Sequence, residues 1–157
     1  MYSLSEKVER LKQCPLFETL SNEELKVISL TSSEVICKAG EVLFRQGDEA
    51  FEAYVVFEGE AEAYIDLDDG RVLIFSTFQK SDIFGEFAIL GNVARTANVR
   101  ITKDFTGLKI SKDVFFQTIR EFPEISLRIM NILIQRLLKT QQKYVDLVNG
   151  TRKVDSE

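Results

Sequence analysis

The residues best suited to bind a charged ligand stand in one stretch, FGEFAILGNVARTANV, which runs from Phe84 to Val99. Gly85 would let the backbone approach a ligand closely, and Glu86 is an acceptor for sugar hydroxyls. Arg95 offers a fixed planar cation for a phosphate. The spacing therefore predicts a compact pocket for a phosphate and a sugar. The alternative is a Glu86–Arg95 salt bridge that only holds a loop.

The composition excludes most catalytic chemistry. The chain contains no histidine and 2 cysteines among its 157 residues. This excludes Ser-His-Asp and Cys-His catalysis, His-ligated haem, most catalytic zinc sites and an all-cysteine iron–sulfur cluster within one chain. We predict no catalytic residue, no metal and no cofactor, and the two cysteines are expected to be buried thiols. An enzyme that uses carboxylates or lysine remains the alternative.

The charge and hydropathy patterns predict a globular protein of the cytoplasm. The formal net charge of -5 argues against broad binding to DNA or to an anionic membrane, because such binding usually needs a basic face. The first residues, MYSLSEKVER, show no signal-peptide pattern, and no apolar run reaches the length of a membrane span.

Residues 1–32 are predicted to form N-terminal helices. An amphipathic segment over residues 5–13 ends before Pro15. Ser21 and Glu24 form a capping-box pattern that begins a second helix. The residues expected to face the core are Val8, Leu11, Leu25, Ile28 and Leu30.

Residues 33–110 read as many short strands separated by glycine and aspartate turns. Asp69 and Gly70, between two apolar runs, predict a tight hairpin. This spacing of short strands is typical of a sandwich, a roll or a jelly roll. With its flanking helices, the chain is predicted to be a single α+β domain. Its centre is an antiparallel, jelly-roll-like β-roll between N-terminal helices and a long C-terminal helix.

Residues 111–149 are predicted to be helical. Val114, Phe115 and Ile119 stand at helical spacing in the first of two helices. The second, over residues 124–148, is expected to have Pro123 as its first residue and to end at Asn149-Gly150, with a tail over residues 150–157.

The long helix also carries a heptad pattern, which predicts a parallel dimer through paired helices. Two further apolar rows lie on its first half and are expected to pack on the roll. The alternative is that the whole helix folds back on its own domain. The heptad residues are Leu127, Met130, Ile134, Leu137, Gln141, Tyr144 and Val148.

Two blocks of the sequence resemble the cyclic-nucleotide-binding domain family, which includes catabolite-activator proteins, cyclic-nucleotide-dependent kinases and cyclic-nucleotide-gated channels. The first is GEVLFRQGDEAFEAYVVFEGEAE and the second is FGEFAILGNVARTANV, which is similar to the family's phosphate-binding cassette (residues 84–97). The helix–roll–helix order extends the resemblance over nearly the whole chain.

The resemblance implies a role for each matching residue. Glu86 matches the acceptor for the ribose 2′-hydroxyl, and Arg95 matches the partner of the cyclic phosphate. Asn92 and Ala94 depart from the family pattern, which has Gly and Pro there, and predict a less rigid loop. The ligand-binding residues that the resemblance implies are Phe84, Gly85, Glu86, Phe87, Ala88, Arg95, Thr96, Ala97, Arg136 and Thr140.

The choice of base stays open between cAMP and cGMP. In the family, a Thr at the position of Thr96 can bind the guanine amino group, and it also tolerates cAMP. Thr140 is similar to a helix threonine that contacts the adenine amino group, which favours cAMP. Arg136 and Gln141 lie near the expected base.

The resemblance implies a cyclic-nucleotide sensor that moves its C-terminal helix. The residues after Val148 include no helix-turn-helix, so we expect a stand-alone sensor that acts on an unknown protein effector rather than on DNA. A fragment of a longer chain is the alternative to this expectation. A scaffold of the same fold that dimerises or docks without a ligand is the alternative function.

Overall fold

The computed structural model describes residues 1–154, with side chains for residues 1–150. Three short helical segments come first, and two of them begin at capping boxes. Ser3 and Glu6 cap the first helix reciprocally, and Ser21 and Glu24 cap the second as predicted. The segments are α1 (Leu4–Lys12), a 3₁₀ turn (Pro15–Phe17) and α2 (Asn22–Thr31).

The prediction for the buried side of α2 was wrong at one residue. Leu25 and Ile28 are buried, but Leu30 is 70% exposed. Residues three apart lie on one helix face, whereas Leu30 lies only two residues after Ile28 and therefore points to another side. Val8 and Leu11 of α1 are buried as expected.

A six-stranded antiparallel sheet confirms the predicted β-roll. Its main path is β1-β6-β3-β4, with β2 paired to β6 and β5 paired to β3. The connection from β3 to β4 is the predicted hairpin, closed by a 2.8 Å bond from the Leu67 N–H to the Arg71 carbonyl. The strands are β1 (Ser33–Cys37), β2 (Val42–Phe44), β3 (Glu52–Asp66), β4 (Val72–Phe78), β5 (Ile83–Phe84) and β6 (Asn98–Ser111).

The long strand β3 separates two apolar clusters, because its side chains alternate between the faces of the sheet. Val55 and Phe57 face a cluster shared with the flanking helices. Tyr54 and Val56 face a second cluster inside the roll, together with Phe84. The roll therefore has one face packed on helices and an aromatic interior on the other.

The helix α3 (Glu86–Gly91) lies between β5 and β6, and two helices follow the roll. α4 spans Lys112–Glu121 and is capped by Ser111, whose hydroxyl accepts from the Val114 N–H. α5 spans Glu124–Val154 and is 31 residues long. It begins at Glu124 as predicted, directly after Pro123.

The predicted end of α5 at Asn149-Gly150 was wrong, because the helix continues through both residues. Gly150 does not adopt the positive φ that ends helices at glycine. The predicted tail over residues 150–157 is thus helical as far as Val154, and residues 155–157 lie outside the described residues.

The two faces of α5 have different surroundings. Ile125 and Ile129 are buried against the helix-side cluster. Arg128 donates to the Pro15 carbonyl at 2.8 Å and to Glu18 at 2.7 Å, which fastens the start of α5 to the N-terminal segment. The heptad row remains at the surface: Leu127, Met130, Ile134, Leu137 and Tyr144 are each at least half exposed.

Cys14 is buried and Cys37 half-buried, and both are free thiols. Burial raises the pKa of Cys14 to about 12, so this thiol stays protonated near neutral pH. Within the described part of the chain, no group of three or more Cys, Asp or Glu side chains could hold a metal ion. None of the described helices has the length and hydropathy needed to cross a bilayer.

Candidate functional site

A cavity of about 600 Å³ opens between the inner face of the roll, α3 and α5. Its walls are mainly aromatic and aliphatic, and its few charged groups converge from α3, from the loop after α3 and from α5. The lining residues are Phe44, Ala63, Ile65, Phe75, Ser76, Phe78, Gly85, Glu86, Phe87, Ala88, Arg95, Thr96, Ala97, Val99, Leu133, Ile134, Arg136, Leu137 and Thr140.

Gly85 caps α3 in a conformation that suits only glycine well. Its φ is 80°, in the left-handed region that side chains rarely adopt. A Cβ at this position would lie 2.9 Å from Nη1 of Arg95 and 3.3 Å from the Glu52 carbonyl oxygen. The backbone at Gly85 therefore leaves no room for a side chain next to the Arg95 guanidinium.

Asn92 ends α3, also in the left-handed conformation, with φ of 50°. Asparagine tolerates this region better than most residues, so it can replace the glycine that many cassettes have there. Two backbone hydrogen bonds of 2.8 Å then join the following loop to the turn before β3. One runs from the Arg95 N–H to the Asp48 carbonyl and the other from the Gly47 N–H to the Arg95 carbonyl.

The carboxylate of Glu86 is fully buried. Its Oε1 accepts a hydrogen bond from Nη1 of Arg136, but its Oε2 has no partner among the described residues. Burial raises the pKa of Glu86, and the positive charge of Arg136 opposes that shift. Glu86 thus keeps an unpaired acceptor in a desolvated position.

The Arg95 side chain is only 4% exposed and holds its charge without an ion pair to any described residue. It donates to the carbonyl oxygens of Gly85 at 2.7 Å and Glu52 at 2.6 Å, while its Nε has no partner. Its guanidinium carbon lies 4.0 Å from the centroid of the Phe44 ring. Burial lowers the pKa of Arg95, and Tyr54 and nearby carboxylates, among them Glu52 and Glu86, oppose that shift.

Glu86 and Arg95 therefore do not form the loop-holding salt bridge considered as the alternative. Arg136 of α5 pairs with Glu86 instead and also donates to the Ile83 carbonyl. One turn further along α5, the Thr140 hydroxyl donates to the Arg136 carbonyl at 3.0 Å and reaches the cavity wall. Through Arg136, the long helix thus contacts the cassette directly.

All of the predicted ligand-binding residues except Phe84 line the cavity. Phe84 is buried beneath the site, where its ring stacks on Phe78 at 4.7 Å and on Tyr54 at 5.2 Å between centroids. Sequence reasoning missed the apolar walls, although strand alternation offered a signal for them. The missed lining residues include Phe44, Ile65, Phe75, Ser76, Phe78, Leu133, Ile134 and Leu137.

This arrangement suits a small ligand with three parts. The buried guanidinium of Arg95, which forms no direct ion pair with a described residue, suits an anion, and the free Oε2 of Glu86 suits a hydroxyl donor. The aromatic and aliphatic walls suit a flat apolar portion.

Comparison with known proteins agrees with this geometry. The family model of the cyclic nucleotide-binding domain matches residues 34–122, which is more than half of the chain, so the chain belongs to this family. The match covers β1 to α4 and includes the whole cassette.

Two curated relatives place the domain in different contexts. A lysophospholipase of Phaeosphaeria nodorum is 28% identical over 119 residues, which are 76% of this chain and 8% of that protein. A CRP-like cAMP-activated global transcriptional regulator of Mycobacterium tuberculosis is 23% identical over 140 residues, 89% of this chain and 62% of that protein. The chain thus spans less than two thirds of the length of either relative.

Solved structures share the fold. The regulatory domain of Toxoplasma gondii PKA with cAMP has a TM-score of 0.66 and 27% identity, over 73% of this chain and 44% of that chain. The regulatory subunit of a cAMP-independent protein kinase A from Trypanosoma cruzi, bound to guanosine, has a TM-score of 0.72 and 22% identity. That match covers 88% of this chain and 51% of the other.

Proposed function

We propose that this protein is a sensor module that binds cAMP or cGMP in the cavity and signals through movement of α5. The observation that carries the proposal is a pair of buried, incompletely satisfied groups on one cavity wall. Glu86 has an acceptor without a partner, and Arg95 has an unpaired Nε and forms no direct ion pair with a described residue. Buried groups of this kind are costly unless a ligand satisfies them.

Arg95 is the proposed partner of the cyclic phosphate. A cyclic phosphodiester carries one negative charge, and a hydrogen bond to a charged group contributes roughly 1.5–3 kcal/mol. Removal of the Arg95 side chain should therefore weaken binding by about 10- to 150-fold.

Glu86 is the proposed acceptor for a ribose hydroxyl. A carboxylate near a phosphate repels it, so Glu86 suits this ligand only when it faces hydroxyl donors. Its unpaired Oε2 meets that condition, since a 2′-hydroxyl can donate to it.

A nucleoside without phosphate is a second candidate, because the T. cruzi structure described above holds guanosine. Such a ligand would use Glu86 but would leave Arg95 without an anion. We favour the cyclic nucleotide, since desolvation of an unpaired charge costs several kcal/mol unless an anion offsets it.

The contacts of Thr140 favour adenine as the base. Its hydroxyl hydrogen is directed to the Arg136 carbonyl, so its oxygen presents lone pairs to the cavity. Lone pairs suit the amino group that adenine carries at C6 rather than the carbonyl oxygen that guanine carries at the same ring position. Thr96 lines the same cavity and is compatible with either base, so cAMP is the favoured ligand and cGMP the alternative.

Arg136 is the proposed link between ligand and helix. It occupies Oε1 of the carboxylate that the ribose would approach, and it also donates to the Ile83 carbonyl. A ribose hydroxyl on Oε2 would draw negative charge away from Oε1 and weaken the bond of that oxygen to Arg136, so the position of α5 that keeps this ion pair would lose population when the ligand binds. The ligand can shift the equilibrium between the two positions of α5 only by the difference between its binding free energies for those positions.

The movement of α5 is proposed to change the packing of a homodimer that forms through this helix. The exposed heptad row includes Ile134 and Leu137, which also line the cavity mouth. A second helix laid along this row would cover apolar surface and narrow the mouth at once. Occupancy of the cavity and the packing of the dimer would then depend on each other.

The alternative function is a ligand-free dimerisation or docking scaffold with the same fold. The buried Glu86 and Arg95 argue against it, because a scaffold would be more stable with apolar residues in their place. Among the described residues that line the cavity, no acid–base pair supports catalysis, and we propose a binding module rather than an enzyme. With a net charge of -5, the expected effector is a protein rather than DNA or a membrane. The expected location of the protein is the cytoplasm.

Calorimetric titration with cAMP and cGMP tests the proposal. The unsubstituted protein should bind at least one of them, and Arg95→Ala should bind about 10- to 150-fold more weakly. Arg100→Ala is the matched control, because Arg100 lies on β6 and pairs with Glu62 outside the cavity. Thermal unfolding would verify that each variant is folded. Absence of binding to either nucleotide would contradict the sensor function and favour the scaffold.

A further inference from the structure

The way in which Arg95 is held differs from an ordinary buried ion pair. Its contacts are two backbone carbonyl oxygens and the face of the Phe44 ring, at 4.0 Å from the ring centroid. No carboxylate within the described residues forms an ion pair with it. The guanidinium is therefore oriented without a direct ion pair, although the carboxylates of Glu52, Glu86 and Asp48 act on its charge from a greater distance.

Phe44 is itself fixed by its neighbours. It ends β2, where it pairs with Val99 of β6. Its ring packs against Tyr54 and Phe84, with centroid distances of 6.0 and 6.5 Å. It also lines the cavity, so the ring forms a rigid platform between the aromatic interior and the ligand space.

An aromatic face differs from a carboxylate as a partner for a cation. Both attract a guanidinium, but the ring acts through its quadrupole and carries no net charge. A carboxylate at this place would pair with Arg95 and would repel an incoming anion. The ring holds the guanidinium without adding a further negative charge beside it, so the guanidinium can still attract a phosphate.

We propose that Phe44 is a positioning residue that sets the preference of the site for an anionic ligand over an uncharged nucleoside. It acts through Arg95 and needs no contact with the ligand. The inference rests on the proposed function, because it concerns the phosphate part of the same site. Beyond that function, it assigns to Phe44 the choice between anionic and uncharged ligands.

The test is the ratio of the Kd for adenosine to the Kd for cAMP, both measured by calorimetry. Phe44→Leu should lower this ratio by about 5- to 30-fold, a range that runs from an exposed to a desolvated cation–π contact. Phe75→Leu is the matched control, because Phe75 lines the same cavity without a described contact to Arg95. It should weaken both ligands alike and leave the ratio unchanged.

Two further measurements separate positioning from a packing role. Replacement of Phe44 with pentafluorophenylalanine keeps the shape of the ring but reverses its quadrupole, and it should lower the ratio as Phe44→Leu does. In an Arg95→Met background, Phe44→Leu should have no additional effect on the ratio. A packing role predicts no change with the fluorinated ring and additive effects in the double variant.

The possible results distinguish a failure of the proposed role of Phe44 from a failure of the proposed nucleotide binding. If the unsubstituted protein binds no cyclic nucleotide, both are overturned. If it binds cAMP more tightly than adenosine and the ratio is unchanged in Phe44→Leu and in the fluorinated protein, the role of Phe44 alone is overturned.

Discussion

A methyl group added at Gly85 should disturb the phosphate site without removing any side chain. The new Cβ of Gly85→Ala would lie 2.9 Å from Nη1 of Arg95 and 3.3 Å from the Glu52 carbonyl oxygen. Arg95 cannot move away freely, because Glu52, Gly85 and the Phe44 ring all hold it. We therefore expect weaker nucleotide binding and lower stability.

Two separate costs make up the expected effect. Alanine at a φ of 80° costs roughly 1–2 kcal/mol in stability, because the left-handed region crowds Cβ. The contact with Arg95 then displaces the guanidinium from its position. Full loss of a charge-assisted hydrogen bond amounts to roughly 1.5–3 kcal/mol. Since the side chain is displaced and not removed, we expect the lower end, a Kd for cAMP about tenfold higher.

Gly70→Ala is the matched control. Gly70 has nearly the same φ, 85°, but an added Cβ would meet nothing within 4 Å. It lies in the β3–β4 turn and does not line the cavity. Gly70→Ala should lose about 1–2 kcal/mol in urea unfolding and Gly85→Ala more, because only its Cβ also displaces Arg95, and only Gly85→Ala should bind cAMP more weakly. Equal Kd values for Gly85→Ala and the unsubstituted protein would refute the assignment of Arg95 to the phosphate.

Three further predictions concern pH, packing and assembly. Burial raises the pKa of Glu86 above its ordinary 4.5, so the folded state keeps a proton that the unfolded state releases, and the unfolding free energy falls as pH rises from 4.5 to the raised pKa. Glu86→Gln has no such proton, so its unfolding free energy should not fall in this way. In urea unfolding, the unfolding free energy of Glu86→Gln minus that of the unsubstituted protein should therefore rise over this pH range. A difference that stays constant with pH would contradict the raised pKa. Leu25→Ala should cost about 2–5 kcal/mol and Leu30→Ala no more than about 0.5, because only Leu25 is buried, and equal losses in urea unfolding would refute this reading of α2. Leu127→Glu on the exposed row of α5 should make a dimer sediment as a monomer, and a dimer in this variant would place the interface elsewhere.

Features that depend on neighbouring residues could be predicted from the sequence. The capping box of Ser21 and Glu24 and the turn at Asp69-Gly70 each involve only a few adjacent positions, and both form as predicted. The cassette is also nearly contiguous. Its small residues, its acid and its arginine lie within one loop and one short helix, so their pattern alone indicated a shared pocket.

Features that depend on distant packing could not be predicted. Arg136 and Glu86 are 50 residues apart, and their pairing requires the placement of α5 against the roll. The same holds for Phe44 under Arg95, because nothing local to β2 shows which ring will face the cassette. Asn149-Gly150 was a local signal that failed, since glycine permits a helix end but does not impose one.

A crystal structure of the protein with cAMP tests the central claim most directly, because it shows both the place of the ligand and the partners of α5. The cyclic phosphate should lie within hydrogen-bonding distance of Arg95, and a ribose hydroxyl should donate to Glu86. Arg136 should have left Glu86, with α5 shifted accordingly. Nucleotide bound outside this cavity, or bound inside it with the Arg136–Glu86 ion pair intact, would contradict the proposed coupling of ligand to helix.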